Sequence, residues 1–213
     1  MINFLYFFFR RIFFPIIFLA NFLQNNLTSF FSPMNMGPVS DDDYSSYIKK
    51  NINKKKFILD FGSGAGFFAH LFDSKKYLGV DINKNFVKVS REKNKNYKFR
   101  ILENDYLEGF EKKINLIFIN NVLHHLSDDQ ILKAFSYFKK KLKSKTEFFI
   151  IEPLFPKTFF SLEFFMKVID IGDNIKTKTK YIILLKKVIK IKKFYTRKVG
   201  IGSVLIIRGH LKK

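Results

Sequence analysis

Phe57-Ile58-Leu59-Asp60-Phe61-Gly62-Ser63-Gly64-Ala65-Gly66 decides the fold. The run Phe57–Phe61, apolar but for Asp60, has the length and character of a strand buried in a parallel sheet. Glycines at 62, 64 and 66 follow at once. They permit a tight turn and let a ligand approach the main chain closely. The sequence predicts a helix from Phe67 to Phe72, whose first N–H groups would face the same place. In an open α/β sheet a nucleotide-like ligand belongs in the crevice at the carboxyl ends of the strands.

Outward from this stretch the pattern alternates. Tyr77–Asp81 reads as a second strand, Asn85–Lys93 as a helix, Tyr97–Leu102 as a third strand and Ile114–Val122 as a fourth. Ser127-Asp128-Asp129-Gln130 has the S-x-x-Q form of a capping box. The helix it opens should reach Leu142, with a fifth strand over Glu147–Glu152. The tail adds helical stretches at Phe159–Ile169 and Tyr181–Ile191, then a last strand, Ser203–Ile207, between Gly202 and Gly209. The expectation is a doubly wound, mostly parallel, seven-stranded-type α/β sheet with helices on both faces, occupying residues 57–213. Before it come an apolar helical segment, 1–31, and a linker with a leading helix, 32–56. Ser40 or one of the Asp residues after it would cap that helix, which runs to about Asn51.

Further motifs sit at the predicted strand ends. Asp81 closes the second strand, where an acidic group can accept both hydroxyls of a ribose. The glycines do not fit the dinucleotide fingerprint G-x-G-x-x-G, because the third comes one residue early and Phe67 follows it. The loop instead reads D-x-G-x-G-x-G, which resembles motif I of the class I, Rossmann-like, S-adenosylmethionine-dependent methyltransferases. Ile119-Asn120-Asn121-Val122-Leu123-His124-His125-Leu126 resembles the V-L-H-H-L segment after strand four in the same enzymes. Together these likenesses span residues 57–153.

The resemblance implies S-adenosyl-L-methionine as cofactor. It assigns Asp60, Gly62, Ser63, Gly64 and Gly66 to the cofactor loop, and Asp81 with Ile82 to the next strand end. It places Asn104, Asp105 and Tyr106 after the third strand, Asp105 facing the adenine amino group. Asn120 and Asn121 line the crevice after the fourth. A weaker likeness extends further. Ile151-Glu152-Pro153, then Asp170-Ile171-Gly172-Asp173-Asn174-Ile175-Lys176-Thr177, resemble a subgroup with a small substrate cap, whose segment reads D-R-G-x-x-V-R-T. Ile171 and Lys176 stand where that subgroup has arginine and Ile175 where it has valine; with Ile171 in place of the first arginine, an anion contact there is weakened. Lys143-Ser144-Lys145-Thr146 replaces its Pro-Gly-Gly turn.

Methyl transfer from a sulfonium is an in-line displacement, in which the protein chiefly aligns the reactants. A hydroxyl acceptor often needs a base, whereas a neutral amine does not. His125 is the first candidate for that base or for a substrate contact, followed by Glu152 and His124. The plainer alternative is that one histidine packs and the other caps the neighbouring helix. His70 and His210 read as structural or solvated. No metal constellation is found, and Asp128-Asp129 suit the positive end of a helix.

Composition bounds the rest. The chain has 213 residues and no cysteine, which excludes disulfides, thiolate metal sites and thiol chemistry. It carries 39 Lys and Arg against 18 Asp and Glu, a formal net charge of +21. Residues 57–153 hold 17 basic and 12 acidic groups, whereas residues 154–213 hold 15 and 3. The wealth of Lys, Asn, Ile and Phe points to a compositional drift, so part of the charge need not be specific. The opening MINFLYFFFRRIFFPIIFLANFL is broken by Arg10-Arg11 and Pro15, and neither apolar run reaches the roughly 18–20 residues of a membrane span. It reads either as a helix covering its own domain or as an interfacial membrane helix.

The expected function is methyl transfer to a hydroxyl or amine of a small-molecule or lipid- or sugar-linked acceptor. The expected location is the cytoplasm, with residues 1–31 a candidate contact to the membrane surface. The alternatives are a non-catalytic or membrane-associated scaffold and a nucleic-acid methyltransferase. The latter is disfavoured because Asn120-Asn121-Val122-Leu123 lacks the N-P-P-Y-like form used for amino groups of bases. A nicotinamide dehydrogenase is disfavoured by the glycine spacing.

Overall fold

Strands β1 (Phe57–Phe61), β2 (Tyr77–Asp81), β3 (Lys98–Ile101), β4 (Ile114–Asn120), β5 (Glu147–Pro153), β6 (Ile189–Val199) and β7 (Gly202–Leu211) form one sheet. Their order is β3-β2-β1-β4-β5-β7-β6. The first five are parallel to their neighbours, and β7 runs antiparallel between β5 and β6. This computed structural model describes residues 11, 41–53, 55–103, 105–155, 174–199 and 202–212. The apolar segment 1–31 apart from Arg11, the stretch 32–40, the expected helix at 159–169 and Asn104 lie outside the described residues.

Side chains alternate across each strand, so the sheet supports two cores. Leu59, Phe61, Leu78, Val80, Phe148 and Ile150 face one side. There α3 (Asp128–Lys141) covers them with Ile131, Phe135 and Phe138, and α4 (Lys178–Lys186) adds Tyr181, Leu184 and Leu185. Ile58, Tyr77, Phe118, Phe149 and Ile206 face the other. They are covered by Tyr44 and Ile48 of α1 (Asp41–Asn51) and by Val87 of α2 (Lys84–Lys93). The capping box of α3 forms as its sequence predicts: Gln130 N–H donates to the Ser127 hydroxyl, and Ser127 N–H to the Gln130 side chain.

Two expectations need correction. The helix predicted over Phe67–Phe72 is a series of turns with a single 3-10 turn, Ala69–Leu71. Phe68 lies edge-on to Tyr44 and Phe118, and Phe72 stacks on Tyr77 at 5.6 Å. Asp73 then caps another short turn at Ser74–Lys76, immediately before β2. The ten residues between Gly66 and Tyr77 are spent on these two 3-10 turns and the chain between them, and no regular helix forms. The second correction is at Tyr181–Ile191, where α4 stops at Lys186 and the chain becomes strand at Ile189. Ile189-Lys190-Ile191-Lys192 alternates with the period of a strand, and the β-branched and aromatic residues that follow also favour strand. A bulge between Ile191 and Lys193 interrupts the alternation that would have marked β6 in the sequence.

Candidate active site

The parallel register sets Phe61 beside Val80 and Ile119, and Asn120 beside Ile151. The loops after β1, β2, β4 and β5 therefore open along one edge. Between β1 and β4 the strand order reverses, and this is where an open α/β sheet forms its crevice.

The glycine loop is pinned there by backbone bonds. Gly62 and Ser63 N–H both donate to the Val80 carbonyl, at 2.8 and 2.9 Å. Gly64 N–H donates to Asp81 Oδ2 at 2.8 Å, and Asn83 N–H donates to Oδ1 at 2.8 Å. Burial raises the Asp81 carboxyl above its ordinary range, opposed by these N–H groups. The three glycines differ in what surrounds them. All have positive φ, at 77°, 53° and 76°. A Cβ on Gly62 would lie 2.4 Å from Val122 Cγ2, and one on Gly66 would lie 2.9 Å from Phe99 Cζ. At Gly64 nothing stands within 4 Å. Gly62→Ala and Gly66→Ala should therefore lower stability by about 2–4 kcal/mol, from overpacking together with the strain of positive φ. Gly64→Ala should lower it by about 1–2 kcal/mol, the conformational strain alone. Thermal melts of the three variants check the order.

Asp60 is 3% exposed and accepts the Tyr77 hydroxyl at 2.6 Å. Burial pushes its carboxyl up from 3.8 to about 7, against the lowering effect of that hydrogen bond. A folded-state value above the unfolded one makes the group's contribution most favourable below the unfolded value. It is lost as pH rises through the folded one. Stability should thus fall between pH 3.8 and about 7 on account of Asp60. Asp60→Asn keeps an acceptor for Tyr77 and should flatten that part of the profile, measured by melting temperature against pH.

Tyr44 of α1 reaches across to β4, its hydroxyl donating to Asn120 Oδ1 at 2.6 Å. That bond fixes the amide and leaves Asn120 Nδ2 buried without a hydrogen-bond partner among the described residues; the same holds for Ser63 Oγ. Buried polar atoms are almost always paired. Two orphans on the loops that flank the crevice fit a ligand carrying hydrogen-bonding groups, as S-adenosylmethionine does. Tyr44 was not foreseen as a site residue, since it lies well before every motif, and no local pattern distinguishes it from core.

Asn121 adopts φ of 56°, a left-handed conformation that asparagine tolerates better than most residues, and its N–H donates to the Ile151 carbonyl at 2.9 Å. The chain then turns over Glu152. Val122 and Leu123 N–H donate to Glu152 Oε1 at 2.9 and 2.8 Å, and His124 N–H donates to Oε2 at 3.2 Å. His124 Nδ1 lies 3.1 Å from the same Oε2. Glu152 is 1% exposed. Its oxygens hold the loop, so in this arrangement Glu152, the second candidate for a base or substrate contact, is a loop anchor. His124 is buried against it. His125 is exposed at the rim, its ring 4.0 Å from that of His124. Of the three residues proposed for catalysis, only His125 faces solvent.

A second strut, missed in the sequence, comes from the segment before α4. Lys176 is buried, and its Nζ donates to the carbonyls of Leu126 and Asn174 at 3.1 and 3.0 Å and meets Asp128 at 3.4 Å. Burial pulls its pKa down. Asn174 N–H donates to the His124 carbonyl at 2.8 Å. Lys176 stands in place of an arginine in the subgroup's segment, and its partners make it a brace for the histidine loop.

The third-strand group is placed differently from expectation. Asp105 accepts from the Tyr137 hydroxyl at 2.5 Å and pairs with Lys141, both on α3. Those bonds hold its carboxyl below the usual range. Tyr106 is buried and stacks on Tyr137 at 4.8 Å. Asp105 and Tyr106 thus serve the α3 packing in this arrangement. Ile82 is 73% exposed beside Asp81 and offers an apolar face at the crevice end. No group of three or more metal-ligating side chains is assembled among the described residues.

Comparison with known proteins bears on the domain and its fold. Residues 58–145 match the family described as "Methyltransferase domain". Ribosomal RNA small subunit methyltransferase A of Mesomycoplasma hyopneumoniae (strain 232) is 30% identical over 106 residues, 48% of this chain and 41% of that protein. The chain therefore matches less than half the length of that relative. A protein of Pyrococcus horikoshii superposes with a TM-score of 0.60 at 18% identity, over 81% of this chain and 89% of that one. Human N-acetylserotonin methyltransferase, solved in complex with S-adenosylmethionine, gives 0.59 at 17% identity, over 79% and 52%. Residues 58–145 thus match a methyltransferase domain, and the seven-stranded sheet with the D-x-G-x-G-x-G loop at its switch point has the fold of S-adenosylmethionine-dependent methyltransferases.

Proposed function

We propose that this protein transfers a methyl group from S-adenosylmethionine to a hydroxyl or amine of a small-molecule or lipid- or sugar-linked acceptor. The observation that carries the reading is the meeting of the Gly62–Gly66 loop, Asp81, and the orphaned Ser63 Oγ and Asn120 Nδ2 at one switch point. In this reading Asp81 accepts the ribose hydroxyls, Ile82 packs against the adenine, and Ser63 and Asn120 donate to the cofactor's carboxylate. S-adenosylmethionine, when bound, supplies an electrophilic methyl carbon on its sulfonium. The protein's part is to align the acceptor opposite that carbon, and His125 receives the proton the acceptor gives up.

A small acceptor is favoured because human N-acetylserotonin methyltransferase, which shares this fold, is named for one. A second reading, methylation of ribosomal RNA, is favoured by the 30% identical relative and by the net charge of +21. The experiment begins with calorimetric titration by S-adenosylmethionine, S-adenosylhomocysteine and NAD. Binding of the first two and not the third is expected. Methyl-label transfer is then followed to hydroxylated small molecules, lipid-linked sugars and small-subunit rRNA fragments. His125→Ala should reduce turnover while leaving cofactor affinity unchanged. Label appearing only in RNA would replace the first reading with the second. Cofactor binding with no effect of His125→Ala on any turnover would remove the proposed base.

A further inference from the structure

We propose that the face formed by α4 and the edge strand β6 docks on an anionic lipid surface. It is independent of the acceptor's identity. Residues 174–213 contain 13 Lys and Arg and no Asp or Glu, whereas residues 57–153 contain 12 acidic groups. A drift that enriches lysine throughout the chain does not strip carboxylates from one segment of it.

The structure collects part of this charge around exposed apolar groups. Lys178, Lys180, Lys186 and Lys187 are exposed along α4, and Lys198 on β6. Tyr181, Leu184 and Leu185 are the buried side of α4, which leaves Ile183 pointing outward, 59% exposed. On β6, Phe194 pairs in register with Ile207, whose side chain belongs to the core beneath α4. Phe194 thus shares that side of the sheet; it is 40% exposed, with Lys178 Nζ 5.3 Å from its ring centre. Of the three large hydrophobic residues exposed among the described residues, two stand here.

Edge lysines that deter strand pairing account for some cations on β6. They do not account for Lys178 and Lys180 in the first turn of α4, where positive charge opposes the helix dipole. A polyanion relieves that opposition. Lipid fits better than RNA. The two arginines of the unit lie over Tyr47 and Phe149, at 4.4 and 3.7 Å, on the opposite side of the sheet. The cations on the α4 side are ammonium groups on flexible stems, suited to diffuse headgroup charge and not to bidentate recognition of bases. The Phe194 ring already carries the Lys178 ammonium, and Ile183, the more exposed apolar group, offers an aliphatic side chain to an acyl boundary.

The test is co-sedimentation of the full chain with phosphatidylcholine vesicles, with and without phosphatidylglycerol. Binding should require phosphatidylglycerol and weaken as salt rises. Lys180→Gln/Lys186→Gln/Lys187→Gln/Lys198→Gln should bind at least about tenfold more weakly, each cation near the surface contributing to affinity. Ile183→Ser should weaken binding with all charges kept, which separates lipid docking from simple charge attraction. Unchanged melting temperature and S-adenosylmethionine affinity establish that both variants are folded. Wild-type vesicle binding by the Gln variant would overturn the proposal and pass membrane contact to residues 1–31. Tighter binding of single-stranded RNA than of vesicles, insensitive to Ile183→Ser, would overturn it in favour of nucleic acid. Inorganic phosphate displacing the vesicles at equal phosphate concentration would reduce the face to an anion site and likewise overturn it.

Discussion

Glu152→Ala should lower stability by about 3–5 kcal/mol, the range for stripping a buried, fully hydrogen-bonded charge of its role. The carboxylate accepts N–H groups from Val122, Leu123 and His124 and stands against the His124 ring. Removing it leaves three N–H donors unpaired, those of Leu123 and His124 buried and that of Val122 partly so. Each unpaired group adds about 1–3 kcal/mol of desolvation, moderated by relaxation. Glu152→Gln keeps one acceptor oxygen but turns an NH2 toward other donors, so it should fall between alanine and wild type. Urea melts rank the three. Turnover should fall more than stability requires, because His125 is carried on the same loop; a folded Gln variant with reduced kcat and ordinary cofactor affinity is the expected signature. An alanine variant as stable as wild type would mean that the loop is held from elsewhere, and Lys176 would be the next residue to test.

Much of this was legible in the sequence for a physical reason. A parallel strand buried on both faces is a short apolar run, and a crevice at its end needs glycine, so β1 and its loop announce themselves. The capping box at Ser127 is local chemistry and is realised atom for atom. What stayed hidden depends on distance in the fold. Glu152 looked like a strand-end carboxylate available for chemistry, because nothing local says that the loop 30 residues earlier bends down to it. Asp105 looked like an adenine acceptor until Tyr137 and Lys141 of α3 claimed it. Tyr44 and Lys176 act through partners 76 and 50 residues away, at Asn120 and Leu126. β6 was missed because its bulge spoils the period of two. The helix expected after the glycine loop is replaced by two 3-10 turns, the second capped by Asp73 just before β2.

Asp81→Ala should weaken S-adenosylmethionine binding about a hundredfold, as loss of two charge-assisted hydrogen bonds of about 1.5 kcal/mol or more each implies. Asp81 acts twice. One oxygen braces Gly64 N–H and the other Asn83 N–H, leaving further lone pairs directed along the crevice for a ribose. Asp81→Asn separates these tasks: one amide oxygen can still hold one N–H, but the amide cannot accept from two hydroxyls. It should retain more stability than Asp81→Ala while losing most of the affinity. Acidity should act in the same direction. Burial raises the Asp81 carboxyl, so protonation begins above the ordinary carboxylate range, and the acceptor becomes a donor. Cofactor affinity should therefore decline as pH falls through that raised value in wild type, and not in Asp81→Asn. Gly64→Val supplies an independent probe from the other wall: its side chain projects into open space at the crevice and meets no protein atom within 4 Å at Cβ. A folded Gly64→Val protein should bind S-adenosylmethionine poorly because the ligand, not the protein, meets the added methyl groups. If Asp81→Ala and Gly64→Val both titrate with wild-type affinity, the cofactor does not lie against the glycine loop and the end of β2, and the proposed placement of the site is overturned.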